Sequence, residues 1–269
     1  MTVVESIQGK FQGLKTLASM IAWFDNWRDV WSCHRRGVEL PPLRFRHDLV
    51  LHHRPEDVAL VQFVDVFRDK NYRQYITEPR SGTIVDIGAN IGVVSLDWAT
   101  RLPNVQIHAY EPNPATYAIL RENVAANDLL ERVVCHQQAV GRETGTLSFR
   151  TAGLSVLTTA YANLADEATG QFTAATVSLD DVIEHCMQDG PVGVVKIDAE
   201  GAEAEILEGA HPETLKKVRQ FVIEYHDGMC PNALARCQRV LKEADLHYAI
   251  RPTRPDLGLL YAWRQAVRV

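Results

Sequence analysis

The rhythm of apolar and polar positions changes near residue 80. Before it, Leu14, Leu17, Ala18, Ile21, Phe24 and Trp31 fall close to helical spacing, with Phe11 extending the stripe, so residues 1–40 read as mostly helical and amphipathic. Such a stripe needs a cover, either the body of the protein or a second copy of the chain, and a homo-oligomer through these helices is one expectation. Pro41-Pro42 ends the stretch. Leu43, Phe45, Leu49 and Leu51 then suggest a short hairpin or edge strand, and Pro55 opens a helix running to about Phe67. The segment around Tyr72 and Tyr75 leads to a turn at Pro79–Gly82.

From Thr83, short apolar runs alternate with helical ones. Strands are expected at Thr83–Ile87, Val105–Tyr110, Arg132–Gln138, Val192–Ile197 and Phe221–Tyr225. Helices are expected at Ile91–Arg101, Pro114–Asn127, Ser178–His185, Ala202–Gly209 and Pro231–Ala244. Gly141–Arg150 reads as a turn into an antiparallel strand, and Leu154–Thr176 as a mobile loop or partial helix. His247–Arg251 and Leu257–Trp263 read as a closing hairpin. This alternation builds βαβ units, hence an α/β fold with a doubly wound, mostly parallel sheet and antiparallel strands at its C-terminal edge. The organisation expected is a helical extension with a short hairpin over residues 1–70, then one Rossmann-like domain over 71–269. Within it, loop 151–175 is a candidate lid.

Composition narrows the function classes. A net charge of −6 argues against a general nucleic-acid binder, which needs a basic face to displace counterions. The apolar stretch Leu17–Phe24 is too short to span a bilayer and no small-residue cleavage site follows it, so a cytoplasmic protein without a membrane partner is expected. The five cysteines are odd in number and scattered, with no CxxC and no His/Cys cluster at zinc spacing, so no metal is expected.

The chemistry concentrates at the ends of the predicted strands. Val85-Asp86-Ile87-Gly88-Ala89-Asn90-Ile91-Gly92 joins a strand to a helix through a GxxxG loop, not the GxGxxG that seats a pyrophosphate. Asp86, two residues before the first glycine, would repel a pyrophosphate but attract a ligand carrying an ammonium and a sulfonium. S-adenosylmethionine is such a ligand. Glu111 ends the second strand, where an acid can accept both hydroxyls of an adenosine ribose, and Pro112-Asn113-Pro114 turns the chain away. After the third strand, Gln138 is placed either to bond the adenine ring, with Ala139 contributing backbone, or to stand exposed in a turn.

A second acidic turn, Asp198-Ala199-Glu200-Gly201-Ala202-Glu203, follows the strand Val192–Ile197. Asp198 and Glu200 should face the methyl donor or its acceptor, while Glu203 and Glu205 are expected on a solvated helix face. The next strand ends in Glu224-Tyr225-His226-Asp227. Methyl transfer to an alcohol needs alignment and a base, and His226 is a candidate base that Asp198 or Glu224 would orient or replace. An NAD(P)-dependent oxidoreductase and a non-catalytic cofactor-binding module are the alternatives.

With these segments in view, the chain resembles the FkbM family of S-adenosylmethionine-dependent methyltransferases, class I and Rossmann-like. The resemblance covers about residues 70–226 and rests on Val85–Gly92, Tyr110–Pro114, Gln138–Gly141, Ser178–Asp181 and above all Val195–Glu203. It implies O-methylation of a hydroxyl on a small molecule, sugar or glycan. By the same resemblance Asp86, Gly88, Asn90, Gly92 and Glu111 would contact the cofactor, and Asp198 and Glu200 would sit by the reacting methyl. Ala199 stands where the family commonly has Val. Residues 1–60 and 151–175 fall outside the strongest match.

Overall fold

In the computed structural model, residues 14–152, 154–159 and 170–264 are described. The chain opens with helices α1 (Leu14–Trp23) and α2 (Trp27–Arg36) and the two-stranded ribbon β1 (Leu43–Arg44) and β2 (Val50–Leu51). In place of a single helix from Pro55 to Phe67 come a 3-10 turn (Pro55–Asp57), the short helix α3 (Ala59–Phe63) and a π-helical turn (Val64–Arg68). The break falls at Val58, which takes the left-handed φ of +45° that a β-branched residue seldom adopts. Just before it, buried Asp57 accepts from the backbone N–H of Arg54 and from its guanidinium, closing the turn so tightly that no continuous helix can follow.

The βα alternation then follows the expected course through β3 (Gly82–Ile87), α4 (Val93–Arg101), β4 (Val105–Tyr110), α5 (Pro114–Ala126) and β5 (Val133–His136). Asn113 caps α5 through the Ala115 N–H, with Pro114 in the first turn. A smaller sheet comes next: β6 (Ala139–Gly141), β7 (Gly145–Ala152), β8 (Leu154–Thr159) and β9 (Gly170–Ser178). The main sheet resumes with α6 (Leu179–Cys186), β10 (Val192–Ile197), α7 (Glu203–Gly209), α8 (Pro212–Leu215), β11 (Gln220–His226), α9 (Ala233–Glu243), β12 (His247–Arg254) and β13 (Leu257–Trp263).

The seven-stranded sheet runs β12-β13-β11-β10-β3-β4-β5. All neighbours pair in parallel except β13, which is antiparallel to both β11 and β12. Strands β3 and β10 are apolar almost throughout because helices cover both faces. Strand order reverses between them, and that point opens a crevice at the carboxyl ends of the strands.

The N-terminal segment packs on the domain: Met20, Phe24, Phe63 and Phe67 share one apolar cluster with Leu96, Trp98, Leu259 and Tyr261. Phe24, just past α1, packs on Phe63 with ring centroids 4.7 Å apart, while Ala18 and Ile21 of the stripe stay exposed; Phe11 lies outside the described residues. One expectation changes: the described parts of 154–176 are strand, not loop or partial helix. Strands β8 and β9 flank residues 160–169, which lie outside the described residues, and the small sheet runs β6-β9-β7-β8. On β9 the inward positions are Ala174 and Thr176, too weakly apolar for a period of two to show. Among the described residues no helix is long and apolar enough to cross a membrane.

Candidate active site

At the switch between β3 and β10 lies a cavity of about 1200 Å³. A single small ligand needs roughly 300–1,000 Å³, so this space suits two ligands side by side. The glycine loop lines one part, Asp198, Glu200, Glu224 and His226 another, and Thr146, Leu147 and Phe149 of the small sheet a third. None of these three belongs to 151–175, the segment expected to form a lid.

Gly88 holds the two halves together. Its φ is +72°, and a Cβ there would stand 1.8 Å from the Asp198 carbonyl oxygen. The glycine is required by the approach of β10, before any ligand enters. Gly92, outside the cavity wall, opens α4 with a φ of +92° against Leu120. Ala89 and Asn90 line the cavity. The Asn90 N–H donates to Glu111 Oε2 at 3.0 Å, and the Asn113 N–H to Glu111 Oε1 at 2.9 Å. Each Glu111 oxygen keeps a further lone pair, enough to accept the two hydroxyls of a ribose. Burial pushes Glu111 up to about 7, against the pull of those two backbone bonds. Pro112 and Ala139 also line the cavity. Asn113 spends its side chain on the helix cap, and half-buried Gln138 is not on the cavity wall.

Asp86 requires a correction. It is fully buried and off the cavity wall; its carboxylate accepts from the Ser95 hydroxyl at 2.7 Å and pairs with Lys196 Nζ at 3.1 Å. The reason is register. Asp86 and Lys196 face each other across parallel β3 and β10, so the acid's charge is met inside the protein and not by a ligand. Lys196 Nζ also donates to the carbonyls of Gly88 (2.7 Å) and Ile87 (3.3 Å) and stands 3.6 Å from Asp198. Burial alone would lower its pKa, but Asp86 and Asp198 raise it, so it stays charged. The signal was present in the sequence as a lysine inside an otherwise apolar strand, which needs a buried partner.

The other end of the cavity gathers acids. The chain leaves β10 through Glu200 (φ +47°) and Gly201 (φ +103°), a strained turn beside the site. Asp198 and Glu224 both accept from the Tyr72 hydroxyl, the former at 3.0 Å, although Tyr72 lies before β3, 126 and 152 residues away in sequence. Burial is the main cause that pushes Glu200 up to about 8 and Glu224 up to about 7, reinforced by the Asp198 charge; His226 pulls both back.

His226 lies on the cavity wall with an acid beside each ring nitrogen. Its Nδ1 lies 2.9 Å from Glu203 Oε1 and its Nε2 3.6 Å from Glu200 Oε2. Burial would lower its pKa, but Glu203 and Glu200 hold it well above the ordinary value. Glu203 is fully buried, not solvated, and its Oε1 also accepts the N–H groups of Ala199 and Gly201. Glu205 is half-buried on the cavity wall. Tyr72 and Glu203 were missed because their partners lie far away in sequence or across a turn that propensity does not describe.

The site now stands beside its relatives. The family model for the methyltransferase FkbM domain matches residues 86–248. Methyltransferase sdnD of Sordaria araneosa is 32% identical over 192 residues, 61% of this chain and 74% of its own. The 31-O-demethyl-FK506 methyltransferase FkbM of Streptomyces tacrolimicus is 31% identical over 216 residues, covering 69% and 81%. The hexuronic acid methyltransferase AglP of Haloferax volcanii is 28% identical over 180 residues, covering 67% and 70%. With its reversed strand order, glycine loop and acidic rim, the chain belongs to the FkbM family of methyltransferases, enzymes that use S-adenosylmethionine as cofactor.

Proposed function

We propose that this enzyme methylates a hydroxyl group on a small-molecule or glycan acceptor, with Glu224 as the base. Two relatives support that acceptor class by name, one acting at a 31-O position and one on a hexuronic acid. The observation that carries the reading is the convergence of Asp198, Glu200 and Glu224 on one cavity beside the glycine loop.

The residues fit the cofactor. Glu111 has lone pairs to spare, and the cavity wall carries nine acidic side chains against three arginines, one lysine and one histidine. When bound, S-adenosylmethionine supplies a methyl carbon already activated by positive sulfur. Gly88 through Asn90 and Glu111 would hold the nucleoside end, leaving the region of Asp198, Glu224 and Tyr72 for the acceptor. A pKa near 7 suits Glu224 to take a hydroxyl proton at neutral pH. His226, 2.9 Å from Glu203 and 3.6 Å from Glu200, helps to hold that acidic turn in place.

Glu224→Gln tests this. Transfer to a panel of hydroxylated acceptors, read by mass spectrometry, should fall by about 10²–10⁴ in kcat/KM, with S-adenosylhomocysteine affinity retained in calorimetry. Undiminished transfer by the variant would remove Glu224 from the reaction. Methylation confined to amine or carbon acceptors would overturn the hydroxyl reading.

A further inference from the structure

Three histidines from three separate elements meet near the edge of the sheet, on residues the methyl-transfer site does not use. His108 lies within β4 and is 1% exposed, His136 ends edge strand β5, and His185 stands exposed in the last turn of α6. Their ring centroids are 5.3, 5.4 and 5.9 Å apart. One nitrogen from each lies within 4.8 Å of the others.

The hydrogen bonding defines which atoms are on offer. His108 Nε2 lies 3.0 Å from Asp189 Oδ2, and His108 Nδ1 lies 3.1 Å from His136 Nε2. A proton on Nε2, donated to Asp189, leaves the Nδ1 lone pair turned toward His136. In metalloproteins a carboxylate on the far nitrogen fixes a ligating histidine in this way. Tetrahedral bonds of about 2.0–2.1 Å to imidazole nitrogen put neighbouring nitrogens roughly 3.3 Å apart and ring centroids roughly 5.2 Å apart. His108 and His136 already stand close to that spacing, and a nitrogen of exposed His185 lies within 4.8 Å of theirs.

We propose that His108, His136 and His185 bind one divalent ion of the zinc class, with Asp189 holding His108 in its ligating tautomer. Three imidazoles favour Zn²⁺, Co²⁺, Ni²⁺ or Cu²⁺ over Mg²⁺ and Ca²⁺, which take oxygen ligands. Three protein ligands leave the fourth position to water. The ion would tie β4, β5 and α6 together. It would also brace Tyr110, whose ring stacks on His136 at 4.3 Å and lines the cavity.

The test is calorimetric titration of untagged, chelator-stripped protein with ZnCl₂, paired with Co²⁺ absorption spectra and thermal melts. Wild type should bind one ion per chain, gain tetrahedral Co²⁺ bands and melt higher with zinc, and MgCl₂ should do none of these. His185→Ala, exposed and expected to melt like wild type in EDTA, should lose at least tenfold in zinc affinity and the thermal gain. His136→Gln should behave alike, and Asp189→Asn should weaken binding about 10–100-fold. Absence of zinc binding by wild type, or binding undiminished in His185→Ala, overturns the site.

Discussion

Replacing Lys196 by Met separates a structural from a ligand-binding role for Asp86. Lys196 is 2% exposed and Asp86 0%, with 3.1 Å between the charged atoms. At an effective dielectric of 20 that pair is worth about 5 kcal/mol of gross attraction. Removing the cation leaves Asp86 with the Ser95 hydroxyl, and breaking such a buried pair typically costs about 3–5 kcal/mol. Against a total stability of about 5–15 kcal/mol this is a large loss. Asp86→Asn should cost less, about 1–3 kcal/mol, because Lys196 keeps two carbonyls and Asp198 while Ser95 can still donate to the amide. The double variant should recover part of the Lys196→Met loss. Urea unfolding followed by circular dichroism, without cofactor, measures all three. A Lys196→Met protein within 1 kcal/mol of wild type, or Asp86→Asn costlier than Lys196→Met, would refute the buried-pair account. So would a large loss of S-adenosylhomocysteine affinity in Asp86→Asn, since Asp86 is off the cavity wall.

Other expectations follow from the same geometry. Gly88→Ala forces a Cβ to 1.8 Å from the Asp198 carbonyl at a φ of +72°, and should destabilise by more than about 4 kcal/mol; a wild-type urea midpoint would contradict it. Glu111→Gln removes one charged acceptor and should weaken S-adenosylhomocysteine binding about tenfold or more by calorimetry, whereas an unchanged Kd would show that the ribose lies elsewhere. Glu200 rises from 4.5 unfolded to about 8 folded, so between those values the native state holds more protons. Stability should therefore be highest below pH 4.5 with respect to this group and fall as pH rises to about 8, by at most about 1.4 kcal/mol per pH unit. Raised Glu224 contributes in the same direction up to about 7. Glu200→Gln should flatten that slope in denaturation curves from pH 5 to 8, and an unaltered slope would assign it to other groups.

Local pattern carried most of the fold. Parallel strands such as β3 and β10 announce themselves as apolar runs because both faces are covered, and Asn113-Pro114 marks the start of α5 by its own backbone chemistry. The cavity's address was equally legible, since strand ends at a switch point are set by element order. What failed was anything whose meaning depends on a partner. β9 went unread because its inner face presents Ala174 and Thr176 to a small sheet that no local period reveals. Asp86 reads as a ligand group until β10 places Lys196 opposite it. The buried Glu203 that meets His226 Nδ1 lies across a turn, so strand spacing does not show the contact.

The chain by itself determined the βα order, the glycine loop and the acids at the strand ends, because each is a matter of neighbours along the backbone. Tertiary structure alone decided which charges cancel inside the protein and which remain to face a ligand. It also brought His108, His136 and His185 to one place from three distant elements. Electrostatic energy depends on distance through space and on burial, and one-dimensional spacing specifies neither.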